Sequence, residues 1–258
     1  MRTRGIPAAS GEPLSVFRTD EVLKRHPAYK LAKSGDPAAA LELVSELAVP
    51  LIEQMGRFGS EMILVAPHAV EASGENAIPQ TLAAYLAQKC GTRDDTSIVQ
   101  RNKVYHTGAD AMQRLIAPSE FAGAVEAGAT YVLVDDVSTM GGTLADLANY
   151  IQENGGRVVG SVLLVNAARS GKVIPAPKSL ELLKRRFGNE IRATFGIEPA
   201  ALTWEEAHYL IGFRTVDEFR NRATAAKQAR IKRLRSKGID FEEVSETRHS
   251  SADPAADG

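Results

Sequence analysis

Apolar positions recur along this chain in two rhythms, one of helical spacing and one of short continuous runs. Between residues 36 and 55, Leu41, Val44, Leu47, Val49, Leu51 and Ile52 supply an apolar face. Asp36-Pro37 adds an N-cap followed by proline at the first helical position, so a helix is predicted to reach Met55 and stop at Gly56 and Gly59. The run E-M-I-L-V-A at 61–66 predicts a strand, and Leu82, Leu86 and Cys90 at four-residue spacing predict a helix over 77–90 that ends at Gly91. Ser97 to Gln100 is a second candidate strand. The irregular stretch 101–119 is long for a passive connection and reads as a functional flap.

Tyr131 to Val134 is an apolar run of the kind buried on both faces of a parallel sheet. Leu144, Leu147, Ala148 and Ile151 form the stripe of a following helix closed by Gly155-Gly156, and 157–165 is the next strand. From Ser179 the pattern is helical, and Thr203-Trp-Glu-Glu206 and Thr215-Val-Asp-Glu218 fit capping boxes that start two helices. Strands alternating with helices predict an α/β fold, a parallel sheet flanked by helices, whose ligands sit beyond the carboxyl ends of the strands. The expected layout is a mobile N-terminus (1–14), an α/β domain with N-terminal helices (15–175), a C-terminal helical appendage (176–238) and a disordered acidic tail (239–258).

With 258 residues, 44% of them hydrophobic, the chain can bury a sizeable core. A formal net charge of −1 gives no global attraction to nucleic acid or membrane. The single Cys90 excludes an internal disulfide and a cysteine zinc cluster. The first residues, M-R-T-R-G-I-P, lack the apolar core of a secretory signal, and no apolar run reaches membrane-spanning length, so a soluble cytoplasmic protein is expected.

The densest chemistry lies in Y-V-L-V-D-D-V-S-T-M-G-G-T at 131–143. A strand of this kind is a rigid mount. At its carboxyl end Gly141 and Gly142 permit a tight turn, and the amides that open the next helix form an anion site suited to phosphate, with hydroxyls from Thr139 and Thr143. Asp135 and Asp136 would repel a phosphate at contact distance, so they suit a sugar diol whose 5′-phosphate reaches the turn. This segment resembles the phosphoribosyl pyrophosphate signature of the type I phosphoribosyltransferases. The resemblance implies that Asp135 and Asp136 hold the ribose 2′- and 3′-hydroxyls while Thr139, Met140, Gly141, Gly142 and Thr143 wrap the 5′-phosphate. Met140 stands where the family usually has threonine or another small residue, so one hydroxyl is lost and the thioether must point away. The resemblance covers about residues 60–170 and is looser toward the competence-associated subgroup.

The loop Pro67 to Asn76 resembles in position the family's pyrophosphate loop, with Ser73, Gly74 and Asn76 as contacts; Glu71 and Glu75 oppose that reading unless a divalent cation lies between them or they point toward the acceptor, and a solvated connection is the alternative. Arg101 and Lys103, in a cluster with Tyr105 and His106, are implied as flap cations for the leaving group; a basic surface loop is the alternative. Magnesium is the implied cofactor, held mainly by substrate with Asp135 or Asp136 as its protein contact. His68 and His106 are read as surface or packing residues, and R-S-G-K ending at Lys172 lacks the spacing of a phosphate loop.

Residues 219–238 carry eight basic side chains and no acidic one, so nucleic-acid binding through Arg220 to Lys237 is weighed against a solvated helix balanced by the acidic tail. Two functions stand beside each other. One is a magnesium-dependent transferase, expected as a homodimer, that moves 5-phosphoribose from phosphoribosyl pyrophosphate to a nitrogen acceptor. The other is a sensor that keeps the pocket without the chemistry and signals through its C-terminal helices.

Overall fold

The computed structural model describes residues 1–68, 70–71, 74–102 and 108–236. The chain enters through Leu14–Phe17 (β1) and passes through two single-turn helices, Glu21–Arg25 (α1) and Tyr29–Lys33 (α2). The predicted helix over 36–55 is two helices, Pro37–Leu47 (α3) and Val49–Met55 (α4). Asp36 caps the first through the amides of Ala38 and Ala39; Pro50 then breaks the run, because it has no N–H for the helical ladder and sits in the first turn of the second helix. Met62–Val65 (β2) is buried throughout. Val70–Glu71 (β3) and Gly74–Glu75 (β4) pair as a hairpin before Ile78–Cys90 (α5).

The second sheet strand is Arg93–Asp95 (β5), and not Ser97 to Gln100. It is a polar edge strand with no apolar run, and Arg93, Asp94 and Asp95 pair in parallel with Ile63, Leu64 and Val65. Val99–Gln100 (β6) instead forms a two-stranded antiparallel ribbon with Phe121–Ala122 (β7). The stretch predicted as irregular contains Ala111–Leu115 (α6), capped by the Asp110 side chain, and its Met112 and Leu115 belong to the core of the appendage. Thr130–Ser138 (β8) runs past the apolar segment through both aspartates; Gly142–Glu153 (α7) and Arg157–Asn166 (β9) complete the βαβ unit. Pro177–Phe195 (α8), Trp204–Ile211 (α9) and Val216–Arg235 (α10) make the appendage, with Phe187, Phe195 and Phe213 packed around the ring of Phe219.

The main sheet has the order β1-β9-β8-β2-β5, all parallel. From β2 the chain goes outward to β5 and then returns across β2 to β8. The strand order therefore reverses between β2 and β8, and their carboxyl ends open on the crevice where α/β sheets bind ligands. One apolar cluster covers the face that carries α3, α4 and α5, and another covers the face that carries α7.

Residues 1–13 are not the mobile lead-in that their Pro, Gly and Ser content suggests. Arg2 is buried and bridges Ile197, while the buried Ser10 hydroxyl donates to the Val158 carbonyl. Side-chain bonds to distant elements pin this segment, and composition does not register them. Lys237 and the acidic tail lie outside the described residues. No helix among the described residues is long and apolar enough to cross a membrane.

Gly160 in β9 lies under the Phe58 ring, and a Cβ there would overlap it. Gly160→Ala is expected to lower stability by about 1–3 kcal/mol through overpacking. Urea unfolding should show a lower midpoint at unchanged slope; an unchanged midpoint would contradict this packing.

Candidate functional site

The two aspartates at the end of β8 have different surroundings. Asp136 is buried; its Oδ2 accepts from Lys33 Nζ at 3.0 Å and from Asn76 Nδ2 at 3.1 Å, and its Oδ1 accepts the Val137 amide at 2.8 Å. Burial opposes ionisation of this carboxyl, yet Lys33 and the bonds from Lys33 and Asn76 outweigh it and hold its pKa below the usual value. Asp135 is half-buried and accepts the Asp136 amide at 2.8 Å. Burial, and then the charge of Asp136, push its pKa well above the usual carboxylate range. Asp135 is thus the more readily protonated member of the pair.

Asp135 and residues 137–144 line one cavity of about 60 Å³, closer to the size of a phosphate group than of a whole sugar phosphate. Gly141, with φ of 75°, takes the left-handed conformation that lets the chain turn into α7, whose N-terminus has no side-chain cap. The first amides of that helix have no partner within it. Three distant elements converge on the turn. Arg114 donates to the Thr139 hydroxyl at 3.0 Å, the Thr203 hydroxyl donates to the Met140 carbonyl at 2.6 Å, and Arg2 Nη1 donates to the Gly142 carbonyl at 3.2 Å.

Behind the turn lies a buried ion cluster. Arg2 contacts Glu206 at 2.6 Å and Asp146 at 3.3 Å, so one cation faces two acids. Glu206 also completes the capping box of α9 with Thr203. A Cβ on Gly142 would lie 2.9 Å from Glu206 Oε1, which brings a carboxylate from the appendage against the helix end predicted to take an anion. Burial, with the neighbouring Glu206, pushes the Asp146 pKa up to about 7 although Arg2 opposes the shift.

Of the residues expected from sequence, Asp135, Thr139, Met140, Gly141, Gly142 and Thr143 share the cavity; Asp136 is not part of its lining, and Asn76 bonds to Asp136. Met140 packs against the appendage core. Gly74 lies in the β3–β4 hairpin; Ser73, Lys103, Tyr105 and His106 lie outside the described residues. Arg101 does not line the turn cavity but a larger cleft along α7. Arg114 and Arg2 are cations that reach the turn. Lys33, Arg2 and Arg114 carry no local motif, whereas Thr203 and Glu206 were legible as a cap but not as a wall of the site. In the basic helix, Arg220 pairs with Glu190 and Arg222 with Asp110.

Elsewhere, His26, Glu42 and Glu46 bring three ligand atoms within 4.8 Å of one another. The Ala28 amide donates to His26 Nδ1 at 3.2 Å, which leaves the ring proton on Nε2, bonded to Glu46 at 3.1 Å. A metal on Nε2 would force the proton onto Nδ1, against that amide, so this group is a surface hydrogen bond.

The class these features define is an α/β protein with a glycine turn and a carboxylate pair at the switch point of a parallel sheet. No family model matches the chain. It is 37% identical over 241 residues to Protein TraN of Escherichia coli, covering 90% of this chain and 54% of TraN. An uncharacterized protein of Haemophilus influenzae is 39% identical over 130 residues, which are 49% of this chain and 29% of that protein. The chain thus spans about half the length of one curated relative and less than a third of the other. Among solved structures, an adenine phosphoribosyltransferase of Thermoanaerobacter pseudethanolicus matches 50% of this chain and 68% of its own at 22% identity and a TM-score of 0.32. UMP synthase of Leishmania donovani matches 50% and 22% at 18% identity and a TM-score of 0.30. Both likenesses are partial, and the fold is defined by its own strand order.

The Asp146 shift gives a pH dependence with a definite sign. Its folded pKa of about 7 lies above the ordinary 3.8, so between these values the folded state keeps a proton that the unfolded state releases. Stability must then fall as pH rises through that window, by up to about 1.4 kcal/mol per pH unit. Asp146→Asn removes the effect, so urea unfolding from pH 4 to pH 8 should show the variant gaining on the wild-type chain as pH rises. A pH-independent difference would contradict the buried cluster.

Proposed function

We propose that this chain binds phosphoribosyl pyrophosphate with magnesium at the carboxyl ends of β2 and β8 and transfers 5-phosphoribose to a nitrogen acceptor. The observation that carries the reading is that Asp135 and the uncapped start of α7 line one cavity at the point where strand order reverses. A phosphate is received by the α7 amides and the hydroxyls of Thr139 and Thr143. Asp135, on that same cavity, exchanges hydrogen bonds with a sugar hydroxyl, and Asp136, fixed by Lys33 and Asn76, holds the second acid in register.

In the reaction the C1–O bond to pyrophosphate breaks with its electron pair going to the leaving oxygen, and the acceptor nitrogen's lone pair forms the new C1–N bond. The nitrogen's proton passes to solvent. The sugar carbon is cation-like midway, so catalysis is mostly positioning and charge stabilisation. Ser73, Gly74 and Lys103 are the chain's remaining candidates for the pyrophosphate, and Arg114 adds positive charge at the turn. The donor set suits magnesium, a hard cation that takes one or two carboxylates beside substrate phosphates, and Asp135 or Asp136 would be its protein contact. When bound, the metal would neutralise charge on the departing pyrophosphate.

A second reading is favoured by one observation. Thr203 and Glu206 of the appendage lie against the phosphate turn, so a ligand that enters it would shift α9 and be reported to whatever the basic α10 contacts. That is the sensor, with a protein or nucleic-acid partner in place of an acceptor.

Asp135→Asn should abolish binding of phosphoribosyl pyrophosphate in titration calorimetry while leaving the thermal midpoint unchanged or higher, because a neutral amide suits that half-buried position. Gly142→Val should lose ribose 5-phosphate and sulfate together, since its side chain would meet the Glu206 carboxylate beside the anion turn. Pyrophosphate release from the wild-type chain with a panel of nitrogenous bases separates the two readings. Turnover supports the transferase; binding without turnover supports the sensor; unaltered affinity in Asp135→Asn overturns both.

A further inference from the structure

A second cleft lies along α7, between the segment 116–121, the end of α8 and α10, with a volume of about 610 Å³. It is the size of a small-molecule site and about ten times the cavity at the phosphate turn. Its wall includes Arg2, Arg101, Ser119, Tyr150, Phe195 and Lys227.

Two features of that wall are unexplained by the fold. Ser119 Oγ and Arg2 Nε are buried, in residues that are 6% and 4% exposed, and neither has a hydrogen-bond partner among the described residues. A buried polar group left without a partner is costly, and each such case requires a reason. The second feature is charge. Arg2 is matched by Glu206 and Asp146, Arg192 by Glu198 at 2.7 Å, and Glu153 accepts from the Thr3 hydroxyl at 2.8 Å. Among the described residues neither Arg101 nor Lys227 has an acidic partner, so both cations can meet a ligand, on a wall that also carries Glu120 and Glu153. Phe121 and Tyr150, with centroids 6.4 Å apart, give the same cleft an aromatic edge, and the Tyr150 hydroxyl is already bonded to the Gly123 carbonyl.

We propose that this cleft is a binding site for a small aromatic anion, distinct from the phosphate turn. The anionic group meets Arg101 and Lys227, the ring lies against Phe121 and Tyr150, and Ser119 Oγ supplies a hydrogen bond. A nucleoside monophosphate and an aromatic carboxylate both have this chemistry.

The test is titration calorimetry of the full chain with adenosine monophosphate and, separately, benzoate, each repeated in excess ribose 5-phosphate. At least one probe should bind and should not be displaced by the sugar phosphate. Binding of the monophosphate alone marks a phosphate site, and binding of benzoate marks a carboxylate site. Lys227 is exposed on α10, so Lys227→Glu should keep the wild-type melting temperature and weaken binding at least about tenfold, the worth of one hydrogen bond to a charged group. Ser119→Ala should also weaken it without loss of stability. No binding of either probe, displacement by ribose 5-phosphate, or wild-type affinity in Lys227→Glu would each overturn the proposal.

Discussion

Everything about this molecule's site depends on one strand that is buried on both faces of the sheet. β8 lies at the centre of the sheet, between β9 and β2, and its apolar residues face a separate core on each side. A strand held so firmly fixes the position of the residues at its carboxyl end. Those residues are two acids and a turn with a left-handed glycine, at the crevice where the strand order reverses. The same side chains on an edge strand would be solvated and unfixed.

The second constraint is the buried guanidinium of Arg2. It ties the start of the chain to α7 through Asp146 and to α9 through Glu206, and so makes the appendage part of the wall of the turn that follows β8. One cation between two buried acids is an uneven match, and the raised pKa of Asp146 expresses it. Such a cluster contributes less to stability than to holding parts in register. Its removal by a change at Arg2 alone would leave two acids without their cation.

Much of this was legible in the sequence, and the failures have physical causes. The central strand, its acids and the glycine turn were readable because an apolar run, a turn and a helical stripe agree in order and spacing. The edge strand Arg93–Asp95 was not, because an edge needs no apolar residues. Arg2, Lys33 and Arg114 escape detection for a related reason: each reaches the site from more than twenty residues away, and a lone basic residue shows no sign of what it will meet. Thr203 and Glu206 are recognisable as a helix cap, which is a local property, while their position against Met140 and Gly142 is a property of the fold. Arg101 reads as a flap cation from its place in the chain, yet it faces the larger cleft.

The most direct measurement is of amide nitrogen and proton chemical shifts in the full chain as ribose 5-phosphate is added. Saturable shifts are predicted at Gly141, Gly142, Thr143 and Leu144, with Asp135 and Asp136 moving in step and Thr203 and Glu206 responding as the appendage adjusts. Shifts that saturate elsewhere, with the start of α7 unmoved, would contradict the assignment of the phosphate turn.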